Sequence, residues 1–234
     1  MLVDMHAHTK GISWCCQAPA EKIVADAKAV GLDGIILTNH YQELYVTDKG
    51  IDEFVERYIA EYHYTKECGE KIGIKVFFGL EVTMNENHRN HMLVYGITED
   101  YLRAHPALFT LSLEELYETV HAGGGVLVQG HPYRDGAVPL DSNYLDGIEI
   151  NCHPLYQNAH SADLEVIAKR DKLMLTCGGD YHADAYRAHC GAYLPDSVKD
   201  IHDIAEFVRS SDRITLRIHE VGAPDWYDKE FVVR

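Results

Sequence analysis

Seven short runs of apolar, often β-branched residues punctuate the chain, at 2–8, 34–39, 75–83, 91–97, 125–130, 147–152 and 173–179. Their length and their content of Val, Ile, Leu and Phe predict strands. Helical signals fill most of the intervals. They run from Pro19 to Val30, with Gly31 just past the end; from Asp52 to Lys71; from Ser112 to Ala122, opened by a Ser112–Glu115 capping box and closed by Gly123 to Gly125; and from Ala159 to Asp171. A further helix is predicted over Ile201 to Ser210, and a last short strand over Arg213 to Ile218. Strand and helix in alternation predict parallel strands with right-handed crossovers, closed as a barrel or left open and doubly wound. No linker, repeat or low-complexity segment interrupts residues 1–234, so one domain is expected, at a length that βα barrels commonly reach.

Histidines and carboxylates mark the edges of these runs. His6 and His8 end the first, His40 the second and Glu81 the third; His91 opens the fourth, His131 follows the fifth, and Asp180 and His182 follow the seventh. Side chains two apart in a strand share a face, so His6 with His8, and Asp180 with His182, each offer two ligand-type groups in one direction. In a parallel barrel the C-terminal strand ends share one mouth, where all eight groups would converge. His91 fits only if its strand is antiparallel or the loop after Thr83 brings it back. Taken singly, each residue has an ordinary explanation: Asp4 and His6 bonded to backbone, Glu81 as an ion-paired carboxylate, His131 in a turn before Pro132. One divalent cluster accounts for all of them together.

The ordered motifs resemble those of the polymerase and histidinol phosphatase (PHP) family of metallohydrolases, across the chain to about Gly191. DMHAHT stands at the first motif, Thr38 to His40 at the second, Gly79 to Glu81 with His91 at the third, Gly130 to Pro132 at the fourth and Gly178 to His182 at the last. The resemblance implies a distorted seven-stranded βα barrel that hydrolyses a phosphate ester with two or three divalent ions (Zn, Mn or Fe). By carry-over, His6, His8, Glu81 and Asp180 would hold one ion. Glu81 would bridge to a second held by His91 and His131, and His40 and His182 would hold a third. The family's further His or Asp for that third ion is replaced here by Ser13-Trp14-Cys15-Cys16. Either Cys15 or Cys16 substitutes as thiolate, which favours zinc, or the ion is held through water and substrate phosphate. Asn39 stands where Asp is common and can orient a ligand only as a neutral group.

Two cations a few Å apart can bring the pKa of a bridging water from about 15.7 toward about 7, so that the attacking group is a metal-bound hydroxide. His182 and His40 would then stand where the leaving alkoxide is protonated. Arg134, three residues after His131, is the first candidate for the phosphate, because a planar guanidinium matches its oxygens. Arg89 and Arg187 lie in other loops beside ligands. His153 and Tyr133 are weaker candidates for substrate contact, and Tyr41, Tyr45, Tyr156 and Tyr181 for pocket walls.

Composition narrows the function. The net charge of −16 argues against a nucleic-acid backbone or an anionic membrane as partner. Six cysteines without a CxxC pair do not make a disulfide framework, and the chain opens on a strand with no signal-type segment, so a cytoplasmic setting is expected. The expectation is a metal-dependent phosphatase acting on a small soluble phosphomonoester of the histidinol phosphate, nucleotide or sugar phosphate type. The alternatives are an amidohydrolase-like C–N hydrolase, which usually needs a bridging lysine that no strand end offers, and a non-catalytic metal-binding or scaffold barrel.

Overall fold

A computed structural model describes residues 1–153, 160–182, 190–220 and 225–234. Seven strands form the ring: β1 (Leu2–Ala7), β2 (Gly34–Leu37), β4 (Lys75–Thr83), β5 (His91–Tyr95), β6 (Val126–Gly130), β7 (Gly147–Asn151) and β8 (Met174–Gly178). The two-residue β3 (His40–Tyr41) continues the line of β2 along β4, pairing His40 with Glu81. The seven apolar runs are these seven strands. Their side chains are buried almost throughout, as a sheet covered by helices requires.

The general parallel order breaks at β5, which runs antiparallel to both β4 and β6, the first of the two routes by which His91 could reach the mouth. The seven residues from Met84 to Asn90 cannot make a crossover, which takes a dozen or more, so the chain turns back as a hairpin. That reversal puts His91, the first residue of its strand, opposite Thr83 at the C-terminal end of β4.

The ring closes only at one end. β8 does not ladder with β1 along its length; instead Tyr181 bridges Ala7, the Asp180 N–H donates to the His6 carbonyl (2.8 Å) and the His8 N–H to the Tyr181 carbonyl (3.3 Å). Gly178 allows this approach, since a Cβ there would lie 2.2 Å from the His6 Cβ. On the same edge of β1 as the seam, at its Leu2–Val3 end, hangs an antiparallel extension of β9 (Gly191–Tyr193), β10 (Arg213–Ile218) and β11 (Tyr227–Val232). β10 matches the expected last strand. β9 has only three residues, and β11 is largely exposed on one neighbour, so neither shows an apolar run.

Helices α1 (Ala20–Ala29), α2 (Ile51–Ile72), α4 (Leu113–Ala122), α5 (Ser161–Asp171) and α6 (Ile201–Ser210) stand where helical signals predict them; the six-residue α3 (Glu99–Ala104) is additional. The capping box at α4 is formed: the Ser112 Oγ accepts from the Glu115 N–H and the Glu115 carboxylate from the Ser112 N–H. No helix among the described residues is long and apolar enough to cross a membrane.

Candidate metal centre

All eight residues singled out at the strand ends meet at the closed end of the ring, around Glu81. Its Oε1 lies 2.7 Å from His91 Nδ1, 2.9 Å from His131 Nε2 and 3.3 Å from His6 Nε2. Its Oε2 touches His40 Nδ1 and lies 3.5 Å from His8 Nε2. Asp180 Oδ1 faces His8 Nε2 at 3.0 Å and His6 Nε2 at 3.5 Å. The side chains of His6, His8, Glu81 and Asp180 are wholly buried, whereas those of His91 and His182 are 14% and 12% exposed, so the cluster opens to solvent on their side.

Outer residues fix which nitrogen of each imidazole points inward. His6 Nδ1 is held by Glu149 Oε1 at 2.9 Å, leaving Nε2 toward Glu81 and Asp180. His8 Nδ1 donates to the Ser13 hydroxyl (3.1 Å), which itself donates to Asn39 Oδ1 (2.9 Å). His182 Nδ1 donates to the Asp180 carbonyl (2.8 Å). Asn39 thus orients a ligand candidate through Ser13, as a neutral group can. Asp4 is a clip: its Oδ1 accepts from the His6 and Gly179 N–H groups, tying β1 to the turn that carries Asp180. Asp180 (φ 51) and His131 (φ 27) both occupy backbone space that side chains other than glycine rarely adopt, and such strain persists where the surroundings impose it.

Glu149 is the residue that the strand-end pattern missed. It sits in the middle of β7, fully buried, holds His6 with one oxygen and accepts the His131 N–H (2.8 Å) and the Asn151 amide (3.1 Å) with the other. An acid between two isoleucines in GIEIN was the available signal.

The electrostatics follow the crowding. Burial alone would raise the Glu81 carboxyl, but the charges of His40, His91 and His6 hold it well below its ordinary range. Asp180 is depressed against burial by His6, by hydrogen bonds from His182 and His8, and by Arg134. Burial would lower His40 and His182, yet Glu81 and Cys15 lift the first to about 9, and Asp180 and Cys15 lift the second to about 10. His131 is pushed down to about 4 by burial.

His6 Nε2, His8 Nε2, His40 Nδ1, Glu81 Oε2 and Asp180 Oδ1 are buried and face one another, with no hydrogen-bond partner outside the cluster among the described residues. Buried polar atoms are normally paired, and lone pairs aimed at one another call for a proton or a cation between them. Groups of three donors within 4.8 Å occur at His6, His8 and Asp180; at His6, Glu81 and His131; at His40, Glu81 and His91; and at His8, His40 and His182. Imidazole and carboxylate donors in this number fit divalent metals.

Of the proposed substrate contacts, the Arg134 guanidinium pairs with Asp180 Oδ2 at the rim. His153 is buried, its ring 6.1 Å from that of His182. Tyr133 packs on His160 (ring centroids 4.3 Å), and the Arg89 guanidinium lies against Gly136, beside the Arg134 turn. Tyr45 stacks near His40, whereas Tyr41 and Tyr181 are buried, bonded to the Pro106 carbonyl and to Asp26, and Tyr181 borders a small pocket with Asp4, Ile23 and Asp26. Arg187 and Tyr156 lie outside the described residues. A cleft of about 370 Å³ opens beside His91, lined by Gln42, Thr83, Asn85 and His88 among others. A larger one of about 700 Å³, beside Lys75 and Thr98, shares no residue with the cluster.

Among solved structures, the fold is similar to PsfC from Pseudomonas syringae PB-5123, at 22% identity over 87% of each chain and a TM-score of 0.62. It also resembles a two-domain protein from Bacteroides vulgatus ATCC 8482 containing a predicted PHP-like metal-dependent phosphoesterase (17% identity, TM-score 0.68), covering 94% of this chain and 65% of that one. An amidohydrolase from Chromobacterium violaceum shares the fold at 16% identity and a TM-score of 0.52, over 89% of this chain and 97% of that one. At these identities the likeness is one of fold. No curated protein matches the sequence. The family model for the PHP domain matches residues 4–190, which span every strand-end motif of the cluster, and the chain belongs to the PHP domain family.

Proposed function

We propose that this protein is a metal-dependent phosphatase of small phosphomonoesters. The observation that carries the reading is Glu81, one buried carboxylate with five imidazoles from four separate chain segments around its two oxygens. Divalent cations bound there would supply Lewis acidity, acidifying a water and neutralising phosphate oxygens. His6, His8 and Asp180 would hold the first ion, His91 and His131 the second, and Glu81 would serve both while offsetting their repulsion.

The remaining groups have roles of their own. Arg134 binds the phosphate from the rim, its fork shared between Asp180 and a phosphoryl oxygen. His40 and His182 stand on the leaving-group side. There, His182 Nε2 either donates a proton to the departing oxygen or, with His40, helps hold a cation beside it. The cleft beside His91 is sized for a small leaving group, and His153 and Tyr133 flank the Arg134 side.

The test is phosphate release from a panel of sugar, nucleoside and amino-alcohol phosphates by protein reconstituted with Zn, Mn or Fe. Turnover that is selective and lost with chelator supports the reading; fully loaded protein inert toward the whole panel overturns it. Arg134→Ala is expected to raise KM about 10–100-fold with a smaller change in kcat, because it removes one charge-assisted contact of roughly 1.5–3 kcal/mol. An unchanged KM would remove Arg134 from the substrate site.

Metal uptake should also release protons. With pKa values raised to about 9 and about 10, His40 and His182 are protonated at neutral pH and must lose those protons before their nitrogens can bind a cation. Affinity at this position therefore rises with pH until both are neutral. Titration of metal into unbuffered protein, back-titrated with base, should record the protons released, and their number should fall as the starting pH approaches 10.

A further inference from the structure

The segment between β1 and α1 curls over the mouth of the cluster and presents two adjacent cysteines with opposite fates. Cys16 is buried, and its thiol donates to the His8 carbonyl at 3.3 Å, a core contact. Cys15 is exposed to solvent on one side, and on the other its Sγ lies 3.2 Å from His40 Nε2 and is hydrogen-bonded to His182. With His182 Nδ1 engaged by the Asp180 carbonyl, Nε2 is the nitrogen left to face the thiol, a metal donor once its proton is lost. His8, wholly buried and with no partner for Nε2 outside the cluster among the described residues, completes the wall, and its ring lies 4.4 Å from that of His40 and 4.3 Å from that of His182. Donor nitrogens of His8, His40 and His182 all lie within 4.8 Å of one another.

We infer that Cys15 is a metal ligand, joining His40 and His182 in a sulfur-bearing cation position at the mouth of the cluster that selects Zn(II)-type ions over Mn(II) and Mg(II). Around a tetrahedral ion with Zn–S of about 2.3 Å and Zn–N of about 2.0–2.1 Å, sulfur and nitrogen sit roughly 3.5 Å apart, close to the Cys15–His40 separation. Thiolate is a soft donor, which hard, oxygen-preferring cations decline. The inference rests on the proposed reading of the cluster as a metal centre. The rival is a thiol–imidazole pair without metal, a reactive cysteine in the manner of a nucleophile.

Cobalt(II) separates these. The whole protein, stripped of metal, is titrated with Co(II) while the near-ultraviolet sulfur-to-cobalt charge-transfer band and the bound cobalt per chain are followed. Wild type should develop the band. Cys15→Ser, a change at an exposed position, should lose the band together with one bound ion, and Cys15→His should regain the ion without the band. Alkylation of Cys15 by iodoacetamide, located by peptide mass, should slow at least tenfold on zinc loading.

Cobalt bound without a charge-transfer band, or a band that survives in Cys15→Ser, overturns the inference and leaves the metal centre standing. The second of these would point to the buried Cys152, Cys177 and Cys190, of which the first two have sulfurs 3.7 Å apart. Unchanged alkylation in zinc-loaded protein also overturns it, in favour of the free nucleophile. Failure to bind cobalt at all overturns both this inference and the reading on which it rests.

Discussion

Glu81→Gln is expected to leave a folded protein that retains little metal and releases no measurable phosphate. The substitution keeps the shape of the side chain but removes the one negative charge shared by His6, His8, His40, His91 and His131. Two of the proposed ions lose a ligand at once, and their mutual repulsion is no longer offset. Loss of an outer partner typically costs 10–100-fold in metal affinity or activity, and a shared inner ligand should exceed that. Elemental analysis after gel filtration gives ions per chain, and the phosphate assay gives turnover. A Glu81→Gln protein carrying the full complement of ions and working at wild-type rate would end the bridging assignment.

A second large effect is expected at Glu149, which touches no proposed substrate or ion. Glu149→Ala removes acceptors from the His6 ring, the His131 N–H and the Asn151 amide. At about 1–3 kcal/mol for each buried donor left unpaired, the sum consumes much of the roughly 5–15 kcal/mol that holds a domain folded. The thermal unfolding midpoint should fall steeply. Glu149→Gln keeps the volume and one accepting oxygen, so it should fold, yet bind the first two ions 10–100-fold more weakly because His6 loses its anchor. Wild-type metal affinity in Glu149→Gln would show that the carboxylate serves packing alone.

The contrast between Glu81 and Glu149 explains what could be read from the chain. Glu81, the histidines and Asp180 stand at the ends of apolar runs, and strand geometry alone sends them to one mouth. Glu149 is hidden because its partner is 143 residues away and its position is an ordinary interior one. The relay from Asn39 through Ser13 to His8 is hidden for the same reason: it depends on how a loop folds back. The reversal at β5 was within reach of arithmetic, since seven residues cannot carry a crossover. The positive φ angles of His131 and Asp180 had no signal, because neither residue is a glycine.

The one-sided closure of the ring bears on how the chain assembles. The seam joins segments as distant as Asp4 and Gly179, 175 residues apart, with only a few hydrogen bonds, whereas β1 and β8 are laddered to β2 and β7. Contacts so remote in sequence are the slowest to be made and the least rewarded along the way. His6 and His8 lie on one lip of that seam and Asp180 on the other, so an ion gripped by all three would act as a staple across a sparsely bonded joint between the two ends of the ring.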